Sequence, residues 1–160
     1  MNRPVAVPES SRLAVFSLAV RDSSMKRFRT VGFDSANWRP SPNALSIAEL
    51  ARHLVDADRW LADTLHGFER ARAEALAGFF AVGSEAEWER LLGQLESAGR
   101  ERSTLISRLR SADLDKKMKD TRFGGEVTTW WVIVRGNLDH EIHHRGQLAT
   151  YLRILADTPA

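Results

Sequence analysis

The interval at which apolar residues recur constrains the fold of this chain more than any other feature of its sequence. In four stretches, aliphatic and aromatic residues return every three or four positions, which is the period of an amphipathic helix. No stretch alternates apolar and polar residues for long enough to predict a substantial sheet. The pattern therefore predicts an all-α protein built from four long helices.

The first two helices are delimited by turn residues and by one capping motif. The first is predicted over about residues 10–30, and a loop rich in glycine and proline follows it. The second begins at Ser46, because Ser46 and Glu49 form a capping box that satisfies backbone amides, and Gly67 is a typical residue to end it. The apolar face of the first helix is predicted to contain Leu13, Phe16, Val20, Phe28 and Val31.

The third helix also begins at a capping motif. Ser84 and Glu87 form the box, and the helix extends to about Leu109, with Arg102 interrupting its apolar stripe. The preceding stretch, residues 68–82, is ambiguous, since it starts with a helical pattern and ends with apolar residues.

A polar stretch, residues 112–127, separates the third helix from the fourth. Gly124 and Gly125 mark a turn in it, and a short strand is predicted near residues 118–123. The fourth helix is predicted as one piece over about residues 128–156. Four helices of roughly 20 to 30 residues are typical of a four-helix bundle, and the length suits a single domain spanning residues 1–160.

Composition excludes several kinds of chemistry. The chain has no cysteine and five histidines, so it has no thiolate nucleophile, and any metal site must use histidine, carboxylate or carbonyl ligands. A net charge of +2 without a dense basic block argues against nucleic-acid binding. No apolar run approaches the length of a membrane span. The absence of cysteine is in keeping with a cytoplasmic protein.

The fourth helix contains a seam that is apolar at both ends and polar in the middle. At helical spacing this seam reads Trp130, Ile133, Asn137, His140, His144, Gln147, Tyr151 and Ile154. If it faces the bundle core, its polar groups need partners, since each unsatisfied buried polar group costs about 1–3 kcal/mol. The seam is therefore the candidate functional face of the protein.

His140 and His144 are four residues apart, so both imidazoles project from one face and suit a single divalent metal. The alternative is that they hydrogen-bond each other or a neighbouring helix, which is the commoner role of an isolated pair. The same letters spell H-E-x-x-H with Glu141 as base, but no glutamate ligand follows, and the glycine and histidine positions of the extended zinc-protease motif hold Gln147 and Thr150. His143 points away from the pair and is interpreted as a surface or supporting residue.

A third ligand must come from upstream, where the candidates are His53 and His66. His53 lies at the edge of the apolar stripe of the second helix, whereas His66 lies at the end of that helix and points about 140° away. His53 is the better candidate.

Two segments resemble those of the DinB-like superfamily of metalloenzymes. One is Leu45-Ser-Ile-Ala-Glu-Leu-Ala-Arg-His53, and the other is His140-Glu-Ile-His-His144-Arg-Gly-Gln147, similar to the H-x-x-H-H-R-G-Q ending of that family. The resemblance implies an up-down-down-up four-helix bundle and a metal site of His53, His140 and His144 that binds zinc or nickel. It also implies a homodimer, and some related proteins are S-transferases or isomerases that use bacillithiol or mycothiol.

Five further residues are candidates for supporting the ligands or contacting a substrate: Asn137, Gln147, Tyr151, Asp56 and Arg102. Arg102 is equally compatible with a salt bridge. The catalytic group itself is not identified. The sequence leaves two functions open: a metal-dependent enzyme that transfers a small thiol or hydrolyses a small molecule, or a non-catalytic metal- or ligand-binding stress-response protein. A purely structural bundle is a further alternative, and it requires the polar side chains of the seam to find hydrogen-bond partners within the protein. Because the chain has no cysteine, any thiol must be a cofactor or substrate.

Overall fold

The computed structural model describes residues 7–68 and 80–157 and consists mainly of helices, which confirms the predicted all-α fold. Four long helices dominate it: α1 (Glu9–Phe28), α3 (Ile47–Leu65), α4 (Glu85–Ser107) and α7 (Asp139–Asp157). Most of the ambiguous stretch, residues 69–79, lies outside the described residues. None of the described helices is both long and apolar enough to cross a membrane.

Side-chain caps begin two of these helices where the sequence predicts them. Ser46 Oγ accepts a hydrogen bond of 3.1 Å from the backbone N–H of Glu49, and Glu49 Oε2 accepts one of 2.7 Å from the N–H of Ser46. Ser84 Oγ accepts a hydrogen bond of 3.2 Å from the N–H of Glu87 at the start of α4, whereas Glu87 Oε2 accepts one of 2.6 Å from the N–H of Gly83, so the predicted box at Ser84 is only half formed. These bonds satisfy amides that have no partner within the helix.

Each of α1 and α3 packs against both α4 and α7. The buried apolar residues form two clusters. The first contains Phe28, Leu54, Leu95 and Tyr151, and the second contains Leu13, Leu61, Ile106 and Leu138. Along α1 and the last helix the chain passes from the second cluster to the first, and along α3 and α4 it passes from the first to the second. This is compatible with the up-down-down-up order, which stays a prediction.

Short elements fill the connections. A single helical turn, α2 (Phe33–Ala36), lies between α1 and α3, and another, α5 (Ser111–Asp115), follows α4. The predicted strand is present as β1 (Lys117–Asp120), and a 3₁₀ turn (Thr121–Phe123) leads to a second strand that the sequence did not predict, β2 (Gly125–Thr128). The strands pair antiparallel with Lys117 opposite Thr128.

The fourth predicted helix is present without a gap over residues 129–157, but one of its turns, which the sequence did not predict, is π-helical. Thr128 caps α6 (Thr129–Ile133), a π-helical turn (Val134–Leu138) follows, and only then does α7 begin. A π turn holds one residue more than an α turn between its hydrogen-bonded ends, so it displaces the following residues around the helix axis. Its last residue, Leu138, lies two positions before His140.

Of the five residues predicted for the apolar face of the first helix, Leu13, Val20, Phe28 and Val31 are buried, and only Phe16 is wrong. Phe16 is 49% exposed, whereas Ser17, Arg21 and Ser24 are buried. The inward face of α1 therefore combines large apolar residues with serines and an arginine. The buried position of Arg21 bears directly on the candidate site.

Candidate metal centre

Three histidines from two helices meet at one point between α3 and α7. His53 projects from α3, and His140 and His144 project from adjacent turns of α7. His53 Nε2 lies 2.9 Å from His140 Nε2, which lies 3.0 Å from His144 Nε2. All three side chains are partly buried, and together they form a group that could hold a metal ion. The structure therefore brings together the three residues that the sequence singles out as ligands.

Hydrogen bonding alone does not account for this arrangement. Nε2 of a neutral imidazole offers either one N–H or one lone pair. His140 Nε2 lies at hydrogen-bond distance from two other ring nitrogens, so only one of these contacts is satisfied by a proton. A cation held between the rings would accept a lone pair from each of the three histidines. The donor set therefore fits a metal better than a self-satisfied histidine cluster.

The donor separations also fit a shared ion. One candidate ligand atom from each of the three histidines lies within 4.8 Å of the other two, so one ion could contact all three. Imidazole nitrogen suits zinc and nickel alike. Three neutral ligands leave the positive charge of such an ion uncompensated, with room for water or a substrate.

Behind His144, two further side chains form a chain of hydrogen bonds. His144 Nδ1 lies 2.9 Å from Gln147 Oε1, and Gln147 Nε2 donates a bond of 2.7 Å to the hydroxyl of Tyr151. Because Gln147 Oε1 only accepts, His144 carries its proton on Nδ1 and presents the lone pair of Nε2 to the centre. Gln147 and Tyr151 thus fix the tautomer and the orientation of one ligand.

The other histidines and Asp56 lie apart from the three ring nitrogens. His143 is exposed and its ring touches that of His144 at 5.1 Å between centroids. His66 is exposed at the end of α3. The carboxylate of Asp56 contacts Arg52 at 3.1 Å and Arg59 at 3.4 Å, so its described partners are two arginines of its own helix.

A buried ionic layer crosses the bundle beside the histidines. Each long helix contributes one charged residue: Arg21 from α1, Asp58 from α3, Arg102 from α4 and Glu141 from α7. All four ion pairs between them measure 2.7–2.8 Å, and every member is at most 5% exposed. Along each helix the charged residue lies between members of the two apolar clusters. The layer therefore separates the two halves of the core.

Asn137 and Arg102, two predicted site residues, belong to this layer. Arg102 Nη1 donates to Asn137 Oδ1 at 3.0 Å, and Asn137 Nδ2 donates to the carbonyl of Ala57 and to Asp58, both at 3.2 Å. Arg102 also binds Ser17 through its hydroxyl and its carbonyl. Arg102 thus forms the salt bridges that the sequence left open as an alternative.

Glu141 is the base position of the H-E-x-x-H letters, and its environment excludes that role. Burial alone would raise the pKa of Glu141, but attraction to Arg102 and the hydrogen bond from Arg21 outweigh burial and lower the pKa to about 2. A carboxylate that holds two arginines and has so low a pKa is a poor acceptor of a proton near neutral pH. His140 and Glu141 are neighbours in sequence, yet one faces the metal centre and the other faces the ionic layer.

Sequence reasoning missed Arg21, Asp58 and the inward orientation of Glu141. A signal for Arg21 was present, because Ser17, Arg21, Ser24 and Phe28 follow one another at spacings of four and three, which is a helix face. In the structure, Gly99 makes room for this side chain, since a Cβ there would collide with Cγ of Arg21. Because Gly99 has no side chain, the aliphatic part of the Arg21 side chain can pack beside it in the core.

The fold and the cluster define a helical bundle with a candidate metal centre between its second and last long helices. The chain belongs to the DinB superfamily, whose family model matches residues 18–148. Among curated proteins, it is 24% identical over 151 residues to uncharacterized protein YjoA of Bacillus subtilis (strain 168), covering 94% of this chain and 93% of the relative. The crystal structure of YjoA, described as a DinB-like protein, matches with a TM-score of 0.68 at 20% identity, over 92% of this chain and 93% of that one.

Proposed function

We propose that this protein is a metal-dependent enzyme that acts on a small molecule, with zinc or nickel held by His53, His140 and His144. The observation that supports this most is the number of ligands. Within residues 7–68 and 80–157, the group that could hold an ion consists of three histidines and no fourth side chain. Structural zinc sites are usually closed by four protein ligands, whereas catalytic sites keep a position for water or substrate.

The reaction we propose is transfer of a small thiol to an electrophile, or hydrolysis. A bound divalent ion supplies Lewis acidity, which favours the deprotonated form of a thiol or a water molecule. In the transfer reaction the thiol loses its proton, its sulfur bonds to the electrophilic carbon, and the leaving group departs with the electron pair of its former bond. The thiol is external, because the chain has no cysteine.

The residues around the centre have separable tasks in this proposal. His53, His140 and His144 hold the ion, while Gln147 and Tyr151 orient His144. The ionic layer fixes the α7 backbone beside His140 through Glu141. The proton of the thiol or water passes to solvent, since Glu141 is engaged by two arginines.

A second function is supported by that same engagement of Glu141. A site without a carboxylate base suits a protein that binds a metal or a small ligand without turning it over, such as a stress-response binder. Both functions use the same three histidines, so they differ only in turnover.

Turnover by the metal-loaded protein distinguishes the two. The protein, loaded with zinc or nickel, is incubated with a panel of small thiols and alkylating or epoxide electrophiles, and products are measured by mass spectrometry. We expect metal-dependent product formation that His53→Ala abolishes and His66→Ala retains, since His66 lies exposed at the end of the same helix. Stable metal binding without turnover across the panel would establish the binder instead.

A further inference from the structure

One side chain of the hairpin region, Arg122, contacts both helices that hold the histidines. Its guanidinium lies over the ring of Trp60 on α3, with Cζ 4.6 Å from the ring centroid. Its Nη1 donates a long hydrogen bond of 3.4 Å to the carbonyl of Gly136 in the π turn. Arg122 thus connects α3 to the turn that leads into α7.

Both contacts of Arg122 lie close to a proposed metal ligand. Trp60 follows His53 by two helical turns, so both side chains project from the same face of α3. Gly136 precedes His140 by four residues, a rise of about 6 Å along a helix. Arg122, Gly136 and His140 also line one open groove on the surface. Arg122 therefore joins the two helices one to two turns from the point where His53 and His140 meet.

Arg122 is itself fixed by the first strand of the hairpin. Its Nε donates to both oxygens of Asp120, at 2.8 and 3.1 Å, and its Nη2 contacts Oδ2 of Asp120. The backbone N–H of Arg122 donates a further bond of 3.1 Å to the same carboxylate. Asp120 is buried and is the last residue of β1, which pairs with β2. A carboxylate that binds a guanidinium through two of its nitrogens fixes its orientation as well as its position.

Gly136 allows the π turn to approach this fixed guanidinium. A Cβ at position 136 would lie 2.9 Å from Nη2 of Arg122, which is closer than neighbouring atoms normally approach a Cβ. Nη2 is not free to move away, because it also contacts Asp120. A side chain at position 136 would therefore displace either the guanidinium or the turn.

The π turn is attached to α3 a second time, through the ionic layer. Asn137, the residue after Gly136, donates a hydrogen bond of 3.2 Å to the carbonyl of Ala57 on α3. π turns are rare within helices and occur frequently at functional sites. The two attachments, through Asn137 and through Arg122, fix the turn on α3 just before the helix reaches His140.

From these contacts we propose that Arg122 is a positioning residue of the metal centre, which holds α3 and the π turn together and thereby sets the separation of His53 and His140. The inference rests on the proposed function, because it requires the metal site, and it adds a residue outside the ligand group that controls the geometry of that site. The hairpin is thus part of the metal-binding unit as well as the connection between α4 and the last helix.

Zinc affinity, measured by competition with a chelator, tests the inference in two arginine variants. Arg122→Ala removes the connection, whereas Arg135→Ala removes an arginine of the π turn that is 53% exposed and pairs with Asp139. We expect zinc affinity to fall at least about tenfold in Arg122→Ala and to stay within about twofold of the wild type in Arg135→Ala, since residues that support metal ligands typically have effects of this size.

The visible spectrum of the cobalt(II)-loaded protein separates a change in ligand position from a loss of stability, because it depends on coordination geometry. Arg122→Ala should change the cobalt absorption bands. Trp88→Phe removes a hydrogen bond to the carbonyl of Val31 in the first apolar cluster, whereas Trp60 packs against the second. Trp88→Phe should lower the urea midpoint and leave the cobalt spectrum and the zinc affinity unchanged.

Gly136→Ala tests the contact between the turn and the guanidinium. In the wild-type background it should weaken zinc binding, because the new Cβ collides with Nη2 of Arg122. In the Arg122→Ala background the same substitution should change zinc affinity by less than about twofold, since the colliding group is gone and the two effects are not additive.

Two results would overturn the inference: zinc affinity and a cobalt spectrum that are unchanged in folded Arg122→Ala, or an equal effect of Gly136→Ala in both backgrounds. Gly136→Ala alone keeps every charge, so it provides the test if Arg122→Ala does not fold, and unchanged zinc affinity and cobalt spectrum there would overturn the inference as well. A wild-type protein that binds no metal contradicts the proposed function, whereas variants that bind metal as the wild type does contradict only the role of Arg122.

Discussion

Nε2 of His53 and Nε2 of His140 lie 2.9 Å apart, so α3 and the last helix meet at the distance between two ligands of one ion. The next residue, Glu141, points about 100° further around the helix and joins Arg21 and Arg102 in the ionic layer. One turn of α7 thus holds the metal centre on one side and the charged core on the other. Packing of the bundle and geometry of the centre are coupled through that turn.

Gln147 should control metal affinity through His144. In Gln147→Leu, Nδ1 of His144 loses the acceptor that fixes its tautomer, and metal affinity should fall about 10–100-fold. The measurement is competition with a chelator of known affinity. Tyr151→Phe is the matched control, since it keeps the glutamine and removes only the hydroxyl behind it, and its effect should be smaller. Unchanged affinity in Gln147→Leu would show that the hydrogen bond does not orient the ligand.

Arg102 should be far more important for stability than a neighbouring exposed arginine. Arg102→Met leaves two buried carboxylates without one of their partners, and removing one side of a buried ion pair costs about 3–5 kcal/mol. Arg100→Met removes an arginine that is 63% exposed and paired with Glu96, and should cost less than about 0.5 kcal/mol. Urea unfolding of the metal-free proteins measures both. Similar small losses in the two variants would contradict the buried ionic layer.

Glu49 should make the free energy of unfolding depend on pH. Burial alone would raise the pKa of Glu49, but hydrogen bonds from the backbone of Ser46 and Phe80 and attraction to Arg39 lower it below its ordinary value of 4.5. Its contribution to stability is therefore present above that ordinary value and is lost as the pH falls through the pKa of the folded state. The free energy of unfolding should decrease more between pH 7 and acidic pH in the wild type than in Glu49→Gln. Equal decreases would show that Glu49 does not contribute.

The sequence was sufficient for features that depend on neighbouring residues. The capping boxes at Ser46 and Ser84 predicted two helix starts, because each cap involves only four consecutive residues. The position of His53 on the stripe of α3 distinguished it from His66, since helical periodicity fixes where each side chain points. The adjacent glycines Gly124 and Gly125 predicted the turn before β2, which is likewise a feature of neighbouring residues.

Features that depend on contacts between distant segments could not be predicted from local sequence patterns. The π turn before His140 accompanies the packing of Gly136 beneath Arg122, and neither helix propensity nor spacing encodes that contact. The ionic layer takes one residue from each long helix, and each of these charges alone is compatible with a solvated surface. Only the assembled bundle shows that Arg21 and Glu141, 120 residues apart, are partners.

Metal content of the purified protein tests the central claim most directly. Elemental analysis after dialysis against zinc or nickel should give about one ion per chain for the wild type. His66→Ala should also bind about one ion, because His66 is exposed at the end of α3 and is not one of the three proposed ligands. His53→Ala and His144→Ala should each lose most of the bound metal, because two imidazoles hold an ion far less well than three. A wild-type protein without bound metal, or unchanged metal content in both His53→Ala and His144→Ala, would contradict a metal centre at these histidines.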